Sequence, residues 1–324
     1  MLFGKNRITN IPKKGIFAKL FDEMVKLLRQ FRCRLLYKSR WSFHMKLNEL
    51  QIVGRRCRMF NFDEYMVVFP NAKINIGLFV TEKRPDGFHN LETVFYPIEL
   101  RDILEITEIK GERGNCVFTS TGIPIDCPPE KNLVSKAYAI LADEYDLPSV
   151  DVHLHKMIPY GAGLGGGSAD AAFMLVGLNQ LFSLGLNEER LTGYAARVGS
   201  DCPFFVLNRP VFAFGKGELM ETIDVSLRGY HVVLVKPERG VATPEAYRGI
   251  TPRAASFDLR ELGKLPVEQW NGVVVNDFED SVIPKVPEIQ EIKHTLRELG
   301  AVYVSMTGSG SAVYGLFSHP VEVE

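Results

Sequence analysis

Apolar side chains alternate with polar or small ones around residue 75. The alternating apolar positions are Ile74, Ile76, Leu78 and Val80. This period of two is expected when one face of a strand is buried. The run Arg84-Pro85-Asp86-Gly87 follows, and Asp-Gly favours a tight turn, so we expect a hairpin. We expect further strands over 67–69, 93–100, 102–109 and 150–155.

Two other segments show the periodicity of helices. Residues 132–145 carry apolar side chains three and four residues apart, which predicts an amphipathic helix. Residues 171–182 are apolar almost all round, as in a helix that is buried on every side. This mixture predicts an α+β fold, and 324 residues are enough for about two domains.

Charge divides the chain into a basic N-terminal extension, residues 1–65, and an acidic body. The extension holds 15 Lys and Arg against 5 Asp and Glu, which leaves a net charge of −11 on the rest. Within it, residues 16–31 predict a basic amphipathic helix. Such a helix is typical of a membrane-surface anchor or an organelle-targeting peptide. The alternative is that the extension is not part of the native protein, with translation starting at Met59 or Met66.

Composition excludes several classes of function for the body. Its acidic charge argues against binding to nucleic acid or to an anionic membrane surface, because both need a basic footprint. No apolar run reaches the ~18 residues of a membrane span. The five cysteines are scattered, without a CxxC pair, which indicates a reducing compartment and no zinc centre. We therefore expect a cytoplasmic protein with small-molecule partners.

A glycine-rich run lies between the strand predicted at 150–155 and the helix predicted at 171–182. Five of the seven residues in 161–167 are glycine. Glycines leave backbone N–H groups accessible, and a helix N-terminus adds unpaired donors and a positive dipole end. This combination predicts a cradle for a di- or triphosphate. The alternative is that the glycines serve only close packing of the helix on the strand.

Two common phosphate-binding motifs fit this run poorly. Gly161-x-Gly163-x-x-Gly166 formally matches the dinucleotide-binding fingerprint, which needs an acidic residue about 20 positions further on. Glu188 and Glu189 stand at that distance, but in a polar stretch typical of a helix start. No Gly-Lys-Ser or Gly-Lys-Thr occurs, so the run is not a Walker A loop.

The segment from Pro159 to Ala172 resembles the ATP-binding motif of the GHMP kinases, which include galactokinase, homoserine kinase and mevalonate kinase. Residues 69–78, 84–91, 199–205 and 307–311 narrow the resemblance to the branch that phosphorylates 4-diphosphocytidyl-2-C-methyl-D-erythritol in non-mevalonate isoprenoid biosynthesis. The resemblance implies ATP as phosphoryl donor with Mg²⁺, metal ligands unassigned. It assigns the following residues to ATP: Pro159, Tyr160, Gly161, Ala162, Gly163, Leu164, Gly165, Gly166, Gly167, Ser168 and Ala169.

The resemblance also implies a two-domain GHMP kinase fold. A ribosomal-protein-S5-like domain over 66–220 would carry the phosphate loop, and a ferredoxin-like α/β domain would cover 221–324. The active site would lie between them, in a monomer or a homodimer. The motif at 307–311 would lie near the ATP phosphates.

Two residues are the candidates for catalysis. Lys73 is a single lysine in an apolar strand, where a buried cation needs an anionic partner. Asp201 lies in a Gly-Ser-Asp-Cys-Pro turn and on its own could be an ordinary turn or capping residue. The resemblance makes Asp201 the base that takes the proton of the accepting hydroxyl, and Lys73 its partner. The alternative for Lys73 is a side chain that reaches solvent at a strand edge.

Four residues are candidates for binding the acceptor. Asn75 lies two residues from Lys73 and so on the same face of a strand. The resemblance implies that Phe88 stacks on the cytosine, that His89 bonds its edge and that Tyr247 covers its opposite face. The family often has tyrosine where this chain has Phe88, which keeps stacking but removes a hydroxyl.

Two other functions remain open at this stage. One is a GHMP kinase for a mevalonate derivative, homoserine or a sugar. The other is a sensor that binds nucleotide without catalysis, although the presence of both Lys73 and Asp201 argues against it.

Overall fold

The computed structural model of this chain describes residues 59–62 and 65–321. The helix expected over 16–31, with most of the N-terminal extension, lies outside these residues. The end of the extension forms strand β1 (Met59–Phe62), which pairs antiparallel with β2 (Tyr65–Val68). A protein that starts at Met59 therefore keeps β1, whereas one that starts at Met66 loses it.

The remaining strands and helices follow in mixed order along the chain. The strands are β3 (Asn71–Lys83), β4 (His89–Arg101), β5 (Ile103–Arg113), β6 (Cys116–Gly122), β7 (Pro148–Lys156), β8 (Val211–Phe214), β9 (Leu219–Thr222), β10 (His231–Val235), β11 (Tyr303–Met306) and β12 (Val313–Phe317). The α-helices are α1 (Leu133–Tyr145), α2 (Gly166–Leu181), α3 (Glu188–Val198), α4 (Cys202–Leu207), α5 (Thr243–Arg248), α6 (Phe278–Val282) and α7 (Glu288–Glu298). Short 3₁₀ helices cover Pro129–Lys131, Leu259–Lys264 and Val267–Gln269.

The first sheet has the strand order β1-β2-β5-β7-β6, with only the β6–β7 pair parallel among the described strands. Helix α2 packs on it, and its apolar surface is buried as predicted. A Cβ at Gly177 would lie 2.6 Å from Cδ1 of Ile106 on β5, so glycine permits the close approach. The helix begins at Gly166, five residues earlier than predicted, because the glycine run itself supplies its first turn.

The second sheet has the order β3-β4-β8-β9 and is antiparallel. The predicted hairpin joins β3 to β4, where the Gly87 N–H donates to the carbonyl of Arg84 (3.1 Å). Strand β3 is buried at every residue from 71 to 80, so both its faces are covered. Polar side chains on this strand are therefore held inside the protein.

The third sheet, β10-β12-β11, is also antiparallel and packs with α6 and α7. Its strands all follow Thr222, the end of the second sheet. A division into domains at 220 and 221 stays a prediction. Backbone bonds also join the two regions, because the Leu78 N–H donates to the carbonyl of Val275 (2.8 Å).

Three charged side chains are buried together where β7 leads into the glycine run. The Lys156 ammonium lies 2.6 Å from Asp102 Oδ2 and 2.6 Å from Asp170 Oδ2. Asp102 Oδ1 also accepts the backbone N–H groups of Met157 (2.5 Å) and Ile158 (2.8 Å). Burial lowers the pKa of Lys156, but the two carboxylates outweigh this effect and raise it above the usual value. One ammonium thus ties the end of β7 to the first turns of α2, on either side of the glycine run.

Replacing Lys156 by methionine is expected to lower the free energy of unfolding by about 3–5 kcal/mol, because two buried carboxylates lose their cation. Urea unfolding followed by circular dichroism measures the change. The matched control is Lys264→Met on the surface, which is expected to change stability by less than about 0.5 kcal/mol. Equal effects of the two substitutions would contradict this role of the buried cation.

Candidate active site

Strand β3 places Lys73 and Asn75 side by side in the interior. Lys73 and Asn75 are 4% and 2% exposed, and the Lys73 ammonium donates to Asn75 Oδ1. The Asn75 amide nitrogen donates in turn to Thr93 Oγ1 on β4 (2.9 Å). The expected common face of the two side chains is therefore present, and the position of the lysine is fixed by a chain of hydrogen bonds.

The environment of Lys73 favours its neutral form more than water does. Burial lowers the pKa of the ammonium, and the carboxylate of Asp201 partly offsets this effect. The ammonium also lies 4.8 Å from the centre of the Phe95 ring. Lys73 is thus a desolvated cation whose charge is supported by Asp201, not a lysine that reaches solvent at a strand edge.

The glycine run passes directly alongside β3. The Lys73 N–H donates to the carbonyl of Leu164 (3.0 Å), while the side chains of Ala162 and Leu164 are buried in the core. Gly165 precedes helix α2, so no side chain caps the helix. The first N–H groups of a helix have no partner within it, and here they begin next to the cleft. This arrangement provides backbone donors for an anion.

A second glycine loop, residues 307–310, lies against the first. A Cβ built at Gly163 (φ +76°) would overlap the carbonyl oxygen of Thr307, and one at Gly308 would lie 3.0 Å from Cα of Gly163. The Thr307 hydroxyl accepts the N–H of Asn75 (2.9 Å) and lies 3.2 Å from the carbonyl of Gly163. One buried hydroxyl therefore joins β3, the glycine run and the second loop.

Asp201 lies at the start of α4, where its side chain makes no capping bond to the helix. It is partly exposed and lines the same cleft as Lys73. The neighbouring Cys202 is buried, and burial raises the pKa of its thiol to about 11. The thiol is therefore protonated near neutral pH.

A cleft of about 720 Å³ contains many of the predicted residues. Its lining includes Lys73, Asn75, Phe88, Tyr160, Gly161, Gly163, Gly165, Asp201 and Tyr247. The remaining predicted residues do not line it: His89, Pro159, Ala162, Leu164, Gly166, Gly167, Ser168 and Ala169. Ala162, Leu164 and Ala169 are core residues that shape the loop.

Aromatic rings form one wall of the cleft. The rings of His89 and Tyr247 stack with centres 4.8 Å apart and planes at 21°. Burial, and the charge of Asp201, raise the pKa of Tyr247 to about 12, so its hydroxyl stays protonated. Phe88 is 60% exposed and lines the cleft. The ammonium of Lys216 lies 5.1 Å from the centre of its ring. Of the predicted acceptor residues, Asn75, Phe88 and Tyr247 line the cleft, whereas His89 does not line it and stacks on Tyr247.

Sequence reasoning missed three residues of this site. Lys216 and Phe278 line the cleft, and Thr93 supports Asn75. Lys216 lies in a Gly-Lys-Gly turn that resembles any surface turn. Phe278 and Thr93 look like ordinary core residues in the sequence. Only their neighbours in space identify them as part of the site.

Residues 59–62 and 65–321 contain no group of three or more His, Cys, Asp and Glu side chains that could hold a metal ion. In these ranges no helix is both long and apolar enough to cross a membrane.

Comparison with known proteins gives consistent matches. Residues 132–209 match the family described as "GHMP kinases N terminal domain", and residues 252–324 match "GHMP kinases C terminal". A relative from Parabacteroides distasonis, named 4-diphosphocytidyl-2-C-methyl-D-erythritol kinase, is 54% identical over 79% of this chain and 93% of its own. A relative from Bacteroides fragilis with the same name is 54% identical over 78% and 92%.

A solved structure gives the same result. The crystal structure titled 4-(cytidine 5'-diphospho)-2C-methyl-D-erythritol kinase is similar with a TM-score of 0.63 and 31% identity. The similarity covers 78% of this chain and 90% of that one.

The two glycines Gly163 and Gly161 provide a matched test of the close contact between the loops. Both have positive φ, but a Cβ at Gly161 would meet no atom within 4 Å. Gly161→Ala is expected to cost about 1 kcal/mol of stability from backbone strain. Gly163→Ala is expected to cost about 3 kcal/mol or more, because it also separates the loops. Urea unfolding of both variants measures the difference, and equal losses would contradict the contact.

Proposed function

We propose, since this chain belongs to the GHMP kinases, that it transfers the γ-phosphoryl group of ATP to 4-diphosphocytidyl-2-C-methyl-D-erythritol. The observation that carries the proposal is 54% identity to enzymes of that name over more than nine tenths of their length. The predicted α+β fold and the predicted family are both confirmed. The products are ADP and the 2-phosphate of the acceptor, an intermediate of the non-mevalonate isoprenoid route.

The glycine run is the proposed site of the ATP phosphates. Its fit to an anion rests on the uncapped start of α2 and on the backbone of residues 161–165. This backbone packs so closely on its neighbours that a Cβ at Gly163 would overlap the carbonyl of Thr307 and one at Gly165 the ring of Phe205. The second loop, next to it, carries Ser309 at the cleft surface. The backbone N–H groups hold the phosphate oxygens without a positively charged side chain of the Walker type.

Asp201 and Lys73 are the proposed catalytic pair. The Asp201 carboxylate takes the proton of the acceptor's 2-hydroxyl as that oxygen forms its bond to the γ-phosphorus. The bond from phosphorus to the ADP oxygen breaks in the same transfer. The Lys73 ammonium stabilises the negative charge that develops on the oxygens of the transferring phosphoryl group. The burial of the ammonium strengthens this effect.

Mg²⁺ is a proposed partner of ATP here. This ion usually keeps several waters and takes the rest of its ligands from substrate phosphates and one or two carboxylates. Asp201 is the one carboxylate among the described residues that line the cleft, and it is the proposed base, so phosphate oxygens and water would supply the ligands of the ion. When bound, the ion would neutralise charge on the phosphates.

The aromatic wall is the proposed site of the cytosine. Phe88 offers an exposed ring face to the cleft, and Tyr247 offers a second ring. Burial, and the charge of Lys83, lower the pKa of His89, so its ring is neutral near pH 7 and can both donate and accept. His89 stacks on Tyr247 and so lies next to one ring of the proposed base site.

ADP release tests the proposal directly. The full chain, with ATP and Mg²⁺, is offered the cytidyl acceptor, mevalonate, phosphomevalonate, homoserine or galactose in parallel. We expect turnover of the cytidyl acceptor alone, with competitive inhibition by CDP, because only this acceptor carries the base for the aromatic wall.

Other outcomes have distinct meanings. Turnover of another acceptor would retain the phosphate site but contradict the roles of Phe88, His89 and Tyr247. ATP binding without turnover of any acceptor would favour a nucleotide sensor.

A further inference from the structure

A four-residue segment that the proposed mechanism does not use contacts β3, the second glycine loop and Tyr247. The segment, Asn276-Asp277-Phe278-Glu279, is called here the 276–279 segment. Its first residue forms a parallel bridge with Leu78 on β3, and the Asp277 N–H donates to the carbonyl of Leu78 (2.8 Å). The segment is thereby fixed to the same strand that carries Lys73 and Asn75.

Asn276 holds the second glycine loop. Its amide nitrogen donates to the carbonyls of Met306 (2.8 Å) and Gly308 (2.9 Å), on either side of Thr307. Its amide oxygen accepts the N–H of Phe278 (3.0 Å). The side chain is 4% exposed, so both of its donors and its acceptor are satisfied inside the protein. An amide is required here, since a carboxylate of the same shape has no donor for the two carbonyls.

Glu279 bonds Met306, the residue directly before the same loop. Its Oε1 accepts the N–H of Met306 (2.8 Å), and its Oε2 accepts the ammonium of Lys293 on α7. Asp277 faces the strand instead, where its Oδ2 accepts the N–H of Val80 (2.8 Å). The loop is therefore positioned relative to β3 by side chains of one short segment.

Phe278 supports the aromatic wall. It is 2% exposed, and its ring meets the ring of Tyr247 edge to face, with centres 4.8 Å apart and planes at 86°. Tyr247 is itself half-buried on α5 and stacks on His89 with its ring. Replacing Phe278 by a smaller side chain would leave the Tyr247 ring without this support.

We infer that the 276–279 segment positions both substrate sites, with Asn276 setting the second glycine loop against the phosphate loop and Phe278 setting Tyr247 against the base. The inference rests on the proposed function. Asn276 and Phe278 are positioning residues, because they act through the second glycine loop and through Tyr247. Their effects should be separable, since Asn276 bonds the loop backbone and Phe278 packs on the Tyr247 ring.

The test compares Asn276→Asp with Phe278→Leu in the full chain. For each variant, turnover gives KM for ATP and for the cytidyl acceptor, and calorimetry gives the affinities for a non-hydrolysable ATP analogue and for CDP. Asn276→Asp is expected to weaken ATP by about tenfold to a hundredfold and CDP by less than about twofold. Phe278→Leu is expected to weaken CDP and the acceptor by about five- to tenfold and ATP by less than about twofold.

Matched controls make the same chemical changes elsewhere. Asn271→Asp alters an exposed amide that donates to the carbonyl of Val302, and Phe257→Leu shortens a half-buried ring outside the cleft. Both controls are expected to leave the two affinities unchanged. If Asn276→Asp does not fold, Asn276→Ser keeps one donor for the two carbonyls and is expected to show the same selectivity with a smaller loss.

The inference is overturned if a folded variant weakens both ligands equally or neither. The failure of the proposed function looks different, because the wild-type protein would then fail to phosphorylate the cytidyl acceptor. The calorimetric comparison of ATP analogue and CDP would still measure the two sites in that case.

Discussion

The burial of one ammonium group, that of Lys73, constrains the rest of the site. A cation removed from water must be surrounded by oxygen atoms or aromatic faces, and β3 provides this by placing Asn75 two residues further along the same face. The Phe95 ring and the charge of Asp201 complete the surroundings. In the proposed mechanism catalysis gains from the same burial, because a charge in a desolvated site acts more strongly on a nearby transferring phosphoryl group.

Close backbone contact delivers the other parts of the site to this cation. The glycine run bonds to β3 beside Lys73, and the second loop approaches it so closely that side chains at Gly163 or Gly308 would not fit. Side chains buried behind the loops set their positions: the Lys156 ammonium below the first loop and the Asn276 amide behind the second. The phosphate site is thus made of backbone, while its geometry is determined by buried polar side chains that touch no substrate.

Sequence patterns predicted the local elements and the motifs, but not how they meet. The alternation at 74–80, the Asp-Gly turn and the apolar helix all correspond to observed elements, because each depends on neighbours in sequence. The glycine run was recognised for the same reason, whereas Asp201 was singled out only by the resemblance to the GHMP kinases. The links of Asn276, Phe278 and Lys216 to the site depend on contacts with residues up to about 200 positions away, and their local sequence resembles ordinary core or turn. The stacking of His89 on Tyr247 is a tertiary contact of the same kind.

A double-mutant cycle between Lys73 and Asp201 tests most directly whether the buried cation and the carboxylate act as one unit. The variants are Lys73→Met, Asp201→Asn and the two combined, with kcat measured at saturating ATP and cytidyl acceptor. Each single substitution is expected to lower kcat by about a thousandfold or more, and the double substitution by little more than the worse single one. Losses that multiply in the double variant would show that the two residues act independently, which would contradict the account.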